Sequence, residues 1–155
     1  MRETIEKFYK AFAELDAESM VACYHKDVVF HDPAFGELKG ERARNMWRML
    51  CESQKDKNFI VKYSNIKFNE NHGSAEWEAF YSFGKSQRRV HNIIQGRFEI
   101  VDGKICRHID EFNFHKWAGQ ALGPMGYLLG WTAFLRNSFQ KKAGSLLDKF
   151  ESRQT

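Results

Sequence analysis

The run VHNIIQGRFEIVDGKICRHIDEFNF, residues 90–114, decides the fold. Two apolar-rich segments flank Asp102-Gly103, and Asp-Gly between alternating hydrophobic residues signals a β-hairpin. Side chains alternate along a strand, so the loop length decides which residues share a face. A two-residue loop pairs Ile100 with Ile105 and puts Asp110 on the face of Gln95 and Arg97. A three-residue loop with Gly103 left-handed pairs Ile100 with Lys104 instead. That register gathers Asn92, Ile94, Gly96, Phe98 and Ile100 with Cys106, His108, Asp110 and Phe112. Gln95, Arg97, Glu99, Arg107 and Glu111 take the opposite face. The three-residue register separates apolar from charged residues better and is the one expected. It leaves Asp110, His108 and Asn92 as polar groups on an apolar wall. Burying an unpaired carboxylate is costly, so Asp110 is either paired or kept for chemistry.

Around this hairpin the pattern is helical, then stranded, then helical. Ile5, Phe8, Tyr9 and Phe12 have helical spacing, and Asp16 can cap a second, short helix. Val28 to His31 reads as a strand stopped by Asp32-Pro33, with a loop to Gly40 and a third helix carrying Ala43, Met46, Trp47 and Leu50. Runs at 59–68, 74–83, 90–100 and 104–114 then alternate like strands. Beyond Gly123-Pro124, Leu128, Trp131, Leu135, Phe139, Ala143, Leu146 and Phe150 recur every three or four positions. That stripe predicts one amphipathic helix from about Gly126 to Phe150, burying Leu128, Trp131, Leu135 and Phe139. Helices segregated from an antiparallel meander give an α+β fold. A curved sheet wrapped around N-terminal helices makes a cone whose interior can be an apolar ligand cavity.

The chain has 155 residues, 43% hydrophobic and 15% aromatic, with 14 Phe and 4 Trp. One domain over residues 1–155 is expected, with about 118–155 as a helical C-terminal extension. The formal charge of +4 is too small, and the cations too interleaved with acids, to indicate nucleic acid. Cys23, Cys51 and Cys106 follow no zinc or redox spacing. Charged residues break the N-terminal run, so no signal peptide is read there, and no apolar run suits a membrane span. A cytoplasmic, reducing setting is the expectation, with no membrane partner. Ile93, Ile105 and Ile109 lie among polar residues on the outer hairpin face, which suits a homodimer contact.

Two stretches resemble a known family. FYKAFAELDAESMVACYHKDVVFHDPAFGELKGERARNMWRML (8–50) resembles the front half of the nuclear transport factor 2-like superfamily. FEIVDGKICRHIDEFNFHKW (98–117) resembles its last hairpin, in the style of SnoaL-like polyketide cyclases and limonene epoxide hydrolases. The resemblance spans roughly residues 4–117. It implies the cone fold, and it implies roles residue by residue. Asp32 falls where ketosteroid isomerases carry their general base, a well-known case of a carboxylate tuned by its surroundings. Tyr9 falls within one residue of that family's oxyanion-binding Tyr. Gly96 stands where its second oxyanion donor would be. Asp110 matches a catalytic Asp of the cyclases and hydrolases. The hydrolase Arg has no counterpart, so epoxide opening is the less expected chemistry.

Asp110 and Asp32 are therefore the candidate catalytic acids, with His108, Asn92, Tyr9, Phe98, Phe112 and Ile94 as candidate substrate-binding residues. The expected chemistry is cofactor-free proton transfer on a hydrophobic carbonyl compound: isomerisation, cyclisation or dehydration. No metal or cofactor motif is read. The competing reading is a non-catalytic small-molecule-binding or dimerisation module.

Overall fold

Ile5, Phe8, Tyr9 and Phe12 form the buried stripe of α1 (Arg2–Ala13) in a computed structural model that describes residues 1–155. Asp16 caps α2 (Ala17–Ala22), its Oδ1 accepting the Ser19 amide at 3.0 Å. β1 (Tyr24–Asp32) and β2 (Gly36–Lys39) pair as a hairpin, and α3 (Gly40–Gln54) follows. β3 (Ile60–Asn69), β4 (His72–Phe83), β5 (Arg88–Val101) and β6 (Lys104–Glu111) form a meander. The chain ends in α4 (Phe114–Leu122), α5 (Pro124–Leu129) and α6 (Ala133–Gln154).

The fold is α+β, built on one six-stranded open sheet of order β2-β1-β6-β5-β4-β3. Two features depart from the sequence reading. The segment expected as a loop after Asp32 holds β2, which turns back through Gly36 at φ 72°. The sheet is also mixed, because β1 pairs with β6 in parallel while every other pair is antiparallel. α1 and α3 cover its inner face around a core that includes Phe8, Met20, Phe30, Trp47, Ile94 and Ile100.

The central hairpin is made differently from the expected register. Val101 pairs with Lys104 and Ile100 with Ile105, so the loop is the two-residue Asp102-Gly103. Both loop residues have positive φ, 50° and 75°, as this tight turn requires. One step along, the ladder slips: Glu99 faces Arg107 and Phe98 faces His108. Cys106 is the extra residue, a β-bulge that restores the inward side for His108 and Asp110. The expected face for Asp110 is thus reached through a bulge and not through a three-residue loop. Ile105 also changes sides. Alternation puts it on the outer face, as part of a dimer contact, yet it is 0% exposed and part of the core. Cys106 is only half-buried.

The tail is not one helix. It breaks at 130–132, where Thr132 caps α6 by accepting the Leu135 amide on its hydroxyl. Ala143, Leu147 and Phe150 are buried, and Leu147 and Phe150 join the main core. Arg42 on α3 clamps α6 through Glu151 at 2.6 Å and Asp148 at 2.9 Å. The front of the expected stripe does not pack: Leu128 and Trp131 are each 71% exposed, whereas Leu135 and Phe139 are half-buried. No helix is long and apolar enough to cross a membrane.

Candidate functional site

Parallel pairing of β1 and β6 places Phe30 against His108 and His31 against Ile109. The next step of that register sets Asp32 beside Asp110 on neighbouring strands, about 5 Å apart at the backbone. On the other side of Asp110, β5 supplies Gly96, and beyond it β4 supplies Ala75. One row across the inner sheet therefore reads Asp32, Asp110, Gly96, Ala75. Two acids stand together and two small residues leave room beside them.

Tyr9 of α1 fills that room. A Cβ on residue 96 would lie 2.6 Å from the Tyr9 hydroxyl and 3.2 Å from Asp110 Oδ1, so only glycine admits both groups. The Tyr9 hydroxyl is buried and has no hydrogen-bond partner. Burial, reinforced by the Asp110 charge, holds its pKa well above the usual tyrosine value, so it keeps its proton and is a donor without an acceptor.

Asp110 is 2% exposed and His108 is 0% exposed. Asp110 Oδ1 accepts from Trp77 Nε1 at 3.2 Å and lies 2.9 Å from His108 Nε2. His108 Nδ1 lies 2.7 Å from the Tyr24 hydroxyl, which accepts from Trp47 Nε1 at 2.7 Å. Trp47 is a donor only, so Tyr24 has its own proton to give to Nδ1. His108 then donates through Nε2 to Asp110, and every donor in the chain is used. The imidazole is boxed by Trp47, stacked at 5.9 Å, and Phe98, at 4.3 Å between ring centres. This relay orients Asp110 on one oxygen and leaves the other out of these bonds.

Asp32 is held by an Asx turn, its Oδ1 accepting the amides of Ala34 at 3.0 Å and Phe35 at 2.6 Å. Burial pushes its pKa up to about 7; the Phe35 and Ala34 amides oppose the rise and the Asp110 charge adds to it. The residue keeps partial exposure at the turn. Above it, α6 closes the turn by a bond from Gln140 Nε2 to the Pro33 carbonyl at 3.0 Å. Tyr81 of β4 lies six residues along the strand from Ala75, within reach of the Asp32 charge. Its hydroxyl accepts from Trp117 Nε1 at 2.8 Å, and burial, with a smaller contribution from Asp32, lifts its pKa to about 12. Sequence reading takes Tyr81 for one of several apolar residues of β4 and misses it. The signal available is a tyrosine in a Trp-Ala-Tyr-Phe alternation, which calls for a partner when buried.

The other candidates scatter. Phe98 is buried against His108, and Ile94 is core, paired with Trp77. Phe112 lies just past β6, at the seam where the main core meets a second cluster around Val90, Phe114 and Trp117. The expected register puts Asn92 close to Asp110. It pairs instead with Ala79, four residues from Gly96, which is roughly 13 Å along the strand. His31 is exposed, as alternation predicts. Tyr9, Trp77 and Phe98 pack around Asp110 and its neighbours Gly96 and His108 where the cavity is expected. Two hollows do open on the surface, of about 390 and 330 Å³, and neither is lined by Asp32 or Asp110. No group of three or more His, Cys, Asp or Glu side chains is placed to hold a metal ion.

Residues 5–108 match the model of the SnoaL-like domain. No curated protein matches the chain. Among solved structures, an epoxide hydrolase of the limonene-hydrolase-like type from M. tuberculosis superposes with TM-score 0.63 at 22% identity, over 82% of this chain and 92% of that one. A candidate polyketide cyclase from Xanthomonas campestris gives TM-score 0.61 at 18% identity, over 76% and 93%. A protein of ketosteroid isomerase-like fold from Catenulispora acidiphila, in complex with trimethylamine, gives TM-score 0.65 at 13% identity, over 79% and 94%. At these identities the likeness is one of fold.

Proposed function

The chain belongs to the SnoaL-like domain family, and from that premise we propose that it is a cofactor-free acid/base enzyme acting on a small hydrophobic carbonyl compound. One observation carries the reading: the β1–β6 register, one step past His31 and Ile109, brings Asp32 next to Asp110, whose charge adds to the burial that raises the Asp32 pKa to about 7. A general base works best with a pKa near the working pH, and burial, helped here by a neighbouring carboxylate, brings it there. In this proposal Asp32 removes a proton α to the carbonyl and returns it at another carbon. Tyr81 donates its hydroxyl proton to the developing enolate oxygen, and Tyr9 is a second donor on the far side of Asp110. Asp110, oriented by His108 and Trp77, keeps the Asp32 proton mobile. Substrate enters at the seam beside Phe35 and Phe112, where Asp32 keeps its partial exposure. Isomerisation, aldol-type cyclisation and dehydration all fit this one proton inventory.

The test is turnover of Asp32→Asn and Asp110→Asn on ketosteroids and polyketide-like β-ketones. Each variant is expected to lose roughly 100-fold or more, the usual share of a general acid or base. Full activity in both variants would remove the proposal. The second reading, a binding or dimerisation module, is favoured by the structural ties on both acids: Asp32 accepts two backbone amides, and Asp110 is held by Trp77 and His108. It predicts ligand affinity without turnover, unchanged in Asp32→Asn.

Two further parts of the proposal concern the whole chain. Residues 1–155 act as one domain with about 118–155 as an extension, and the protein works as a cytoplasmic homodimer through the outer sheet face. Ile93, 48% exposed, and the half-buried Ile109 support that contact, without Ile105.

A further inference from the structure

α4 and α5 meet backbone to backbone. A Cβ on Gly126 would overlap the Ala118 carbonyl, and one on Gly130 would overlap the Gly126 carbonyl. The Tyr127 ring lies over Gly119, and His115 Nε2 bonds the Tyr127 carbonyl at 2.8 Å. With its inner side made of glycine, this hairpin turns its large side chains outward. Met125 is 59% exposed, Tyr127 62%, Leu128 71%, Trp131 71% and Phe134 75%. Trp131 is fixed by a bond from Nε1 to the Leu128 carbonyl at 3.0 Å. The apolar groups are thus presented by a braced element and lie within ten consecutive residues.

Charge is distributed to match. Residues 112–147 contain Lys116, Arg136, Lys141 and Lys142 and not one Asp or Glu. The whole formal charge of +4 resides there, since the rest of the chain has 20 cations and 20 acids. On α6, Phe134, Ser138 and Lys141 recur at helical spacing on the face opposite Ala143, Leu147 and Phe150. The first acids beyond this region, Asp148 and Glu151, are taken up by Arg42. An apolar ridge with Trp and Tyr, flanked by cations and free of acids, has the chemistry of an element lying in a lipid interface. A protein partner of ordinary surface would not call for the complete exclusion of acids over this whole stretch.

We propose that α5 and the first turns of α6 dock on an anionic phospholipid bilayer. Met125, Leu128, Trp131 and Phe134 enter the headgroup–acyl boundary, and Lys116, Lys141 and Lys142 meet the lipid phosphates, whereas Arg136 lies over the Phe114 ring. The element lies on the bilayer and does not span it. The Asp32 turn meets α6 through Gln140, whereas Phe134 and Lys141 lie on another face, so the variants tested below do not touch the acid pair.

The full chain should be sedimented with vesicles of phosphatidylcholine alone and with about one-third phosphatidylglycerol. Binding is expected only with the anionic lipid, weakening severalfold between about 0.05 and about 0.5 M salt. Leu128→Ser with Phe134→Ser, and separately Lys141→Glu with Lys142→Glu, should each weaken it about tenfold or more. Both pairs are on the surface, so melting should be unchanged. Trp131 is the one exposed tryptophan, the other three being 2–8% exposed, so brominated lipid should quench fluorescence in the native chain and not in Trp131→Phe. Absence of sedimentation with anionic vesicles at low salt overturns the proposal. So does a dimer by light scattering that Leu128→Ser with Phe134→Ser dissociates while vesicles are ignored, which assigns the ridge to a second copy of this chain.

Discussion

Gly96 gives up a side chain so that the Tyr9 hydroxyl can sit beside Asp110, and that hydroxyl then has no partner. A buried unpaired donor costs roughly 1–3 kcal/mol. Tyr9→Phe should therefore leave stability unchanged or raise it by about 1 kcal/mol in urea unfolding, while lowering any turnover that uses the donor. A loss of more than about 1 kcal/mol would mean that the hydroxyl is paired in solution. Asp32 allows a test by pH. Its folded pKa of about 7 exceeds the ordinary 3.8, so the folded chain holds more protons than the unfolded one between those values. Stability should fall as pH rises through that window, by at most about 4 kcal/mol, the full cost being felt above pH 7. Asp32→Asn keeps an acceptor for the Ala34 and Phe35 amides and cannot ionise. It should match the native chain near about pH 4 and exceed it by a few kcal/mol near about pH 8. Equal stability at both pH values would show that the Asp32 pKa is not raised.

The β5–β6 hairpin shows how an element can satisfy a pattern by an unexpected route. Alternation demands that Ile100, Phe98, His108 and Asp110 share a face, and they do. Asp102-Gly103 demands a two-residue turn, and it has one. These demands conflict by one residue, and Cys106 absorbs the difference as a bulge. Beside it β1 is irregular too, passing from Tyr24 to Val29 while β6 passes from Ile105 to Arg107. Ile105 is consequently a core residue, and Ile105→Ala should cost about 2–5 kcal/mol in urea unfolding. Cys106→Ala should cost less than about 1 kcal/mol. The reverse order would restore the three-residue loop.

At the scale of the molecule, α6 belongs to the main core at one end and carries an exposed ridge at the other. Leu147→Ala, at a residue 0% exposed, should cost about 2–5 kcal/mol. Leu128→Ala, in the exposed front of the expected stripe, should change stability by less than about 0.5 kcal/mol. A thermal or urea melt of both variants checks the asymmetry. Comparable losses would mean that the front of the stripe packs against something in solution.

Local rules were enough for much of this chain. Helical spacing in α1, the Asp16 cap, strand alternation and the inward side of Asp110 are encoded by residues within a few positions of one another, where covalent geometry sets the periodicity. The α+β class follows from their order along the chain. What the tertiary structure decided is non-local. Asp32 and Asp110 read as two unconnected candidate acids, because nothing near either residue announces a parallel pairing between strands so far apart in the chain. Tyr81 meets Trp117 only because the fold brings β4 and α4 together. Leu128 and Trp131 follow the same helical period as the buried Ala143 and Phe150, so spacing could not separate them. Glycines at 119, 126 and 130 bring α4 and α5 together by backbone contact, and that contact leaves no inner face for the large side chains to fill.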